Sequence, residues 1–153
     1  MIKAIALDVD GVLTDGTFWW DGAGVELKRF SFRDVMGIVR ASRAGIHFAL
    51  ISGERNAIVD RYAARLEIKH VWQGCKEKDR ALREFASTIG LDLAEICFMG
   101  DDVNDLAAMK LAGFSAAPAD AHESARSVAK LVTRQPAGNG AVREMLDFLD
   151  LNK

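Results

Sequence analysis

The chain has 153 residues, half of them apolar, with 20 Lys and Arg against 22 Asp and Glu. That size suits one domain, residues 1–153, with a full core, and a net charge of −2 leaves no footprint for nucleic acid. Two cysteines without metal-ligand spacing, three scattered histidines and no apolar run of membrane length argue against a zinc site and a membrane partner; they point to a reduced, cytoplasmic protein, and the N-terminus is unlike a signal peptide.

The chain opens on an apolar, partly β-branched run, Ile2–Leu7, which breaks off at Asp8-Val9-Asp10-Gly11-Val12-Leu13-Thr14. Buried strands of parallel sheets read this way. Ligands of open α/β sheets bind beyond the carboxyl ends of the strands, so Asp8 and Asp10 both approach that crevice, and Gly11 lets the backbone turn away. Neighbouring carboxylates repel and are costly unless a cation offsets them. A bare D-x-D reads equally well as an acidic turn.

Between about 16 and 32, the β-rich runs Thr17–Trp20 and Val25–Phe32 flank Asp21-Gly22-Ala23-Gly24, which predicts a hairpin. Its two tryptophans pack either on the chain's own body or against another subunit. From Asp34 the spacing turns helical, up to a stop at Ala44-Gly45. Strand and helix then alternate. A strand over 47–51 ends at Ser52-Gly53 and precedes a helix over 54–66. A strand over 68–72 ends at Gln73-Gly74 and precedes a helix over 77–89. A strand over 96–99 ends at Gly100-Asp101-Asp102 and precedes a helix over 103–112. A short strand at 114–116, a helix from about 122, a strand over 130–133 and a helix over 141–149 complete the chain. This alternation predicts an α/β fold with a mainly parallel sheet and right-handed crossovers.

Polar residues collect at the strand ends: Asp8 and Asp10, then Ser52, then Lys78 at a helix start, then Asp101, Asp102 and Asp105 in G-D-D-V-N-D. Taken singly, these read as turns, caps or solvated charge. Taken together, in this order on successive strand ends, they make those bland readings improbable. Asp8 and Asp101 can hold one Mg²⁺, a hard ion that prefers oxygen ligands. Lys78, the Ser52 hydroxyl and loop amides can receive the transferring oxygens.

In this order, over nearly the whole chain, the motifs resemble those of the haloacid dehalogenase superfamily of phosphatases. The resemblance implies a Rossmann-like three-layer αβα sandwich. It makes Asp8 the nucleophile that forms an aspartyl-phosphate and Asp10 the general acid and base. The metal would be held by Asp8, Asp101 and the Asp10 carbonyl, and the phosphate by Ser52, Gly53 and Lys78. Asp102 and Asp105 would orient Lys78 or a metal-bound water.

Only the hairpin follows Asp10, and the stretch from Ser52 to Gln73 is short, so no cap domain is expected. The tail Ala137-Gly138-Asn139-Gly140-Ala141-Val142-Arg143-Glu144, Phe32-Arg33-Asp34-x-x-Gly37-Ile38 and Gln73-Gly74 resemble a capless branch. It contains the 3-deoxy-D-manno-octulosonate (KDO) 8-phosphate phosphatases, the 2-keto-3-deoxynononate (KDN) 9-phosphate phosphatases and the phosphatase-like domain of acylneuraminate cytidylyltransferase. The branch implies a homotetramer with its hairpins meeting at the centre, and a 2-keto-3-deoxy sugar-acid phosphate as substrate. Glu54 stands where KDO 8-phosphate phosphatases usually carry Arg or Lys. Val35 replaces the glycine of their R-D-G, and Tyr62 replaces an expected arginine. These departures, with Ala116–Ala121, favour a nonulosonate 9-phosphate such as KDN 9-phosphate over KDO 8-phosphate. A glutamate repels a substrate carboxylate and accepts hydrogen bonds from sugar hydroxyls, although in the first turn of a helix it also suits the helix dipole. Arg33, Asp34, Glu54, Arg65 and Arg143 are the expected substrate contacts, with Arg55 and Arg61 as further candidates for its carboxylate. Two other classes were weighed. A receiver domain would need an acceptor aspartate where Gln73-Gly74 stands. A non-catalytic oligomerisation domain would have no use for the acidic cluster.

Overall fold

A computed structural model describes residues 1–151. The elements, in chain order, are β1 (Ala4–Leu7), β2 (Trp19–Trp20), β3 (Glu26–Leu27), α1 (Phe32–Arg43), β4 (His47–Ile51), α2 (Ala57–Arg65), β5 (His70–Trp72), α3 (Lys78–Ile89), β6 (Ile96–Met99), α4 (Leu106–Leu111), β7 (Phe114–Ala117), α5 (Glu123–Val128), β8 (Leu131–Val132) and α6 (Ala141–Phe148). Six strands form one sheet in the order β5-β4-β1-β6-β7-β8, and every pairing in it is parallel. The hairpin β2–β3 stands apart from it.

The sheet divides the core into two layers. Strand β1 is buried from end to end, and its period of two sends Ile5 and Leu7 to one side, Ala4 and Ala6 to the other. On the first side they meet Ile38 of α1, Val59 of α2 and Met145 and Leu146 of α6. On the second side the small Ala4, Ala6 and Ala49 face the large Leu82 and Phe85 of α3 and Met109 of α4. Helices thus cover both faces, the expected three-layer αβα sandwich. The chain leaves β1 toward β4 and β5, then returns to β6 on the other side. The strand order therefore reverses at β1, which puts the crevice of an open sheet at the end of β1, where Asp8 and Asp10 lie.

Three local departures from the sequence reading have physical causes. Helix α2 begins at Ala57, because Asn56 caps it by accepting from Ile58 N at 2.9 Å. Glu54 therefore lies in the preceding turn, outside the reach of the α2 dipole. The segment expected as one helix from 103 opens as a tight 3-10 turn, Val103–Asp105, which Asp102 caps by accepting from Val103 N. The hairpin pairs only Trp19 with Leu27 and Trp20 with Glu26. Trp19 is 58% and Trp20 68% exposed, so the tryptophans do not pack on the chain's own body.

Asp34 is a correction to the expected substrate contacts. Its side chain is wholly buried, and it accepts from Gly140 N at 3.2 Å and Arg143 N at 2.9 Å. It thereby caps the start of α6, far along the chain. Gly37, one turn later in α1, completes this contact: a Cβ there would lie 2.8 Å from Arg143 Cδ and 3.2 Å from Leu146 Cδ1. The Phe32–Ile38 motif is, in this respect, the seam between α1 and α6.

Asp34→Ala orphans two backbone donors of that seam and is expected to cost about 1–3 kcal/mol. At about 2–4 °C per kcal/mol for a chain of this size, thermal unfolding checks it. Asp34→Asn, which keeps one acceptor, should lose less.

Candidate active site

The crevice at the end of β1 holds a buried charge cluster. Asp8 lies at the strand's end, its backbone N–H on Met99 O of β6 at 3.0 Å. Its Oδ1 accepts from Val9 N at 2.7 Å and pairs with Lys78 Nζ at 2.8 Å. Lys78, in the first turn of α3, is buried, and its ammonium also meets Asp105 Oδ1 at 2.6 Å. The other oxygen of Asp105 accepts from Asp101 N at 2.9 Å and Asp102 N at 3.2 Å. Asp105 is thereby fully occupied as a clamp on Lys78 and on the loop after β6. Gly100 makes room for it, since a Cβ there would lie 2.5 Å from the Asp105 Cβ.

One ammonium serves three carboxylates. Acidic oxygens of Asp8, Asp101 and Asp105 all lie within 4.8 Å of one another. Two like charges about 4 Å apart repel by roughly 4 kcal/mol at an effective dielectric constant near 20. The protons register this crowding. Burial, then the charge of Asp105, push Asp8 up to about 6 against the pull of Lys78. Burial, then the charge of Asp8, push Asp101 up to about 8. Burial alone would lower Lys78, but Asp8 and Asp105 overcome it and hold the ammonium above its usual range. The donor set is all oxygen and short of positive charge, which suits a hard divalent cation. Since Asp105 is spent on Lys78 and two amides, Asp8 and Asp101 are the carboxylates with capacity for it.

A cleft of about 250 Å³ opens over this cluster, lined by Asp8, Asp10, Ser52, Gly53, Glu54, Cys75, Lys76, Lys78, Asp101, Asp102 and Asn104. Ser52 is buried at the end of β4, where its hydroxyl oxygen accepts from Glu54 N at 3.3 Å. Gly11 backs the Asp101 carboxylate: its φ is +87°, and a Cβ there would collide with Asp101 Oδ2. The residues expected for nucleophile, acid, phosphate and metal, together with Glu54, thus converge in one place.

The remaining expected substrate contacts do not line this cleft. Arg33 and Arg143 line a separate groove of about 820 Å³ along α1 and α6, and Arg143 pairs with Asp147 at 3.0 Å. Arg65 lies in a third groove, about 730 Å³, between the hairpin base and α2, with its guanidinium 5.5 Å from the centre of the Phe32 ring. Arg61 and Tyr62 share that groove. Sequence reasoning missed Lys28. Its ammonium pairs with Asp10 Oδ1 at 2.8 Å and with Glu26 Oε1 at 3.3 Å. The available signal was a lysine among the mixed residues Glu26-Leu27-Lys28-Arg29 of the hairpin, which also describes many solvated residues. Thr14, by contrast, lay inside the first motif, and its hydroxyl reaches Asp10 Oδ1 at 3.4 Å.

The haloacid dehalogenase-like hydrolase family matches residues 73–146. The 3-deoxy-D-manno-octulosonate 8-phosphate phosphatase KdsC of Escherichia coli K12 is 38% identical over 148 residues, 97% of this chain and 79% of the relative. Among solved structures, the 3-deoxy-D-manno-octulosonate 8-phosphate phosphatase of Moraxella catarrhalis, in complex with magnesium, phosphate and KDO, is similar with a TM-score of 0.94. It is 38% identical, over 97% of this chain and 85% of that one. The cobalt-bound phosphatase of Haemophilus influenzae is 37% identical with a TM-score of 0.93, over 97% of this chain and 86% of its own.

Gly11 gives a test of the cation site. In the unaltered protein, Mg²⁺ at about 100 times its dissociation constant should add about 2.7 kcal/mol of stability and raise the melting temperature. Gly11→Ala, which drives a methyl group into Asp101, should abolish that shift. A retained shift would place the ion elsewhere.

Proposed function

The chain belongs to the haloacid dehalogenase-like hydrolases, and from that membership we propose a Mg²⁺-dependent phosphatase that hydrolyses a 2-keto-3-deoxy sugar-acid phosphate through an aspartyl-phosphate. The observation that carries the proposal is the pairing of Lys78 with both Asp8 and Asp105 at the carboxyl end of β1, beside Asp101. Asp8, Asp101 and the Asp10 carbonyl would hold the ion. Bound there, it lowers the repulsion between an anionic nucleophile and an anionic ester.

Each residue then has a physical task. Asp8 attacks phosphorus as the bond to the sugar oxygen breaks, and Asp10 gives that oxygen its proton. In the second half, Asp10 takes a proton from the water that attacks the aspartyl-phosphate. Lys78 holds Asp8 in place and presents positive charge to the transferring oxygens. Ser52 and the amides around Gly53 supply neutral donors for them. Asp105 keeps Lys78 oriented, and Asp102 fixes the loop that carries Asp101 by capping the following turn.

Substrate choice is the finer part of the proposal. The relatives named above act on KDO 8-phosphate, which supports that ester ahead of the nonulosonate 9-phosphate favoured by the sequence reading. A specific observation keeps the nine-carbon reading as a second one: Glu54 lines the cleft and is exposed. The exposed tryptophans of the hairpin support a homotetramer with hairpins at its centre, since aromatic residues are enriched at interfaces. The same proposal includes a cytoplasmic location without membrane or nucleic-acid partners; among the described residues no helix is long and apolar enough to cross a membrane.

Asp8→Asn should abolish phosphate release in a chain that still folds, at a melting temperature lowered by the loss of one anionic partner of the buried Lys78; retained steady-state turnover in a homogeneous preparation would remove Asp8 as nucleophile. In side-by-side measurements of kcat/KM, KDO 8-phosphate should lead KDN 9-phosphate. The reverse order would favour the Glu54 reading, and Glu54→Arg should then restore KDO 8-phosphate to the lead.

A further inference from the structure

Lys28 lies just past β3, at the base of a hairpin whose strands are two residues long. A two-stranded hairpin is marginal by itself, and the apolar side chains around this one, Val25 and Leu27, are exposed. Lys28 is the exception, its side chain only 5% exposed. A charged lysine is withdrawn from water at a cost that only close partners offset. Its partners are Asp10 at 2.8 Å and Glu26 at 3.3 Å.

Both partners are tied to the cleft. Glu26 accepts from Asn56 Nδ2 at 2.8 Å. Asn56 caps α2 with its other side-chain atom, and its backbone N–H rests on Gln73 Oε1 at 2.7 Å. The base of the hairpin is thereby fastened to the turn that follows Ser52-Gly53 and to the end of β5. On the Asp10 side, Lys28 and Thr14 both bind the same oxygen, Oδ1. Two contacts on one oxygen restrain the carboxyl, and Asp10 lines the cleft.

We infer that Lys28 is a positioning residue: clamped between Asp10 and Glu26, it holds the hairpin base against the cleft and sets the Asp10 carboxyl where it can deliver a proton to the leaving alcohol. The inference rests on the phosphatase reading and adds a residue outside the motifs that led to it. In the step concerned, an Asp8 oxygen bonds to phosphorus, the bond from phosphorus to the sugar oxygen breaks, and the Asp10 proton passes to that oxygen. A nitrophenolate departs without needing the proton. Misplacing Asp10 should therefore slow alkyl esters and spare aryl ones, whereas loosening the hairpin alone would slow both alike.

The test compares kcat/KM, which reports the steps through ester cleavage, for KDO 8-phosphate and p-nitrophenyl phosphate with Mg²⁺. Lys28→Met should lower the sugar ester by about 10- to 100-fold and the aryl ester much less, by the part that loosening the hairpin alone costs. Lys28→Arg, which keeps the charge, should recover most of the loss. Amide hydrogen exchange over residues 17–31 should quicken in Lys28→Met and much less in Lys28→Arg. Equal losses on the two esters, or no loss on either, would overturn the positioning role. If Lys28→Met does not fold, Lys28→Gln takes its place: a selective loss on the sugar ester supports the role, and equal losses on both esters overturn it. No turnover of either ester by the unaltered protein would instead overturn the phosphatase reading, and the inference with it.

Discussion

The structure depends on a single buried ammonium. Lys78 has almost no access to water, and its charge is tolerable only because Asp8 and Asp105 lie within 2.8 and 2.6 Å of it. The reverse also holds: Lys78 offsets the repulsion between the neighbouring Asp8 and Asp105 carboxylates. Breaking one partner out of such a buried pair typically costs about 3–5 kcal/mol. The triad therefore welds α3 to the ends of β1 and β6. It is also the chemistry, because the carboxylate it holds in place is the proposed nucleophile. Stability and reactivity are drawn from the same atoms.

The fold explains why the triad can exist. Strand β1 is buried on both faces and lies where the strand order reverses, so its end is shielded by its neighbours yet open along one edge. Small residues then make room. Gly11 admits the Asp101 carboxylate and Gly100 admits Asp105, each at a distance no side chain could share. One further charge is still missing. With a single ammonium for three carboxylates, Asp101 is pushed up to about 8, mainly by burial and the charge of Asp8, and a divalent cation is the simple remedy.

Much of this was legible in the sequence because it is local. An apolar run that ends in D-x-D-G reports a strand and its turn, and β6 spans the four residues its pattern marks. Asp8, Asp10, Ser52, Lys78 and Asp101 each stand at the end of a strand or the start of a helix, so topology alone brings them together. What was hidden depends on distant partners. Asp34 reads as a first-turn acid on a surface helix, and only the docking of α6 buries it. Lys28 reads as a solvated hairpin residue until the hairpin folds back on Asp10. The arginines expected at the substrate are divided between two grooves on α1, α2 and α6, a placement set by how the helices pack, which no local period encodes. The helix expected over 54–66 starts later because Ser52 and Asn56 hold the segment of Glu54 in a turn.

The central claim is that the Asp8 carboxylate becomes covalently phosphorylated. Turnover with a sugar-acid phosphate and Mg²⁺ can be quenched, reduced with borohydride and mapped by peptide mass spectrometry. Borohydride converts an aspartyl-phosphate to homoserine. The account predicts homoserine at residue 8, formed only with substrate present. An unmodified Asp8 at rapid turnover, or homoserine at Asp10 or Asp101 instead, would contradict it.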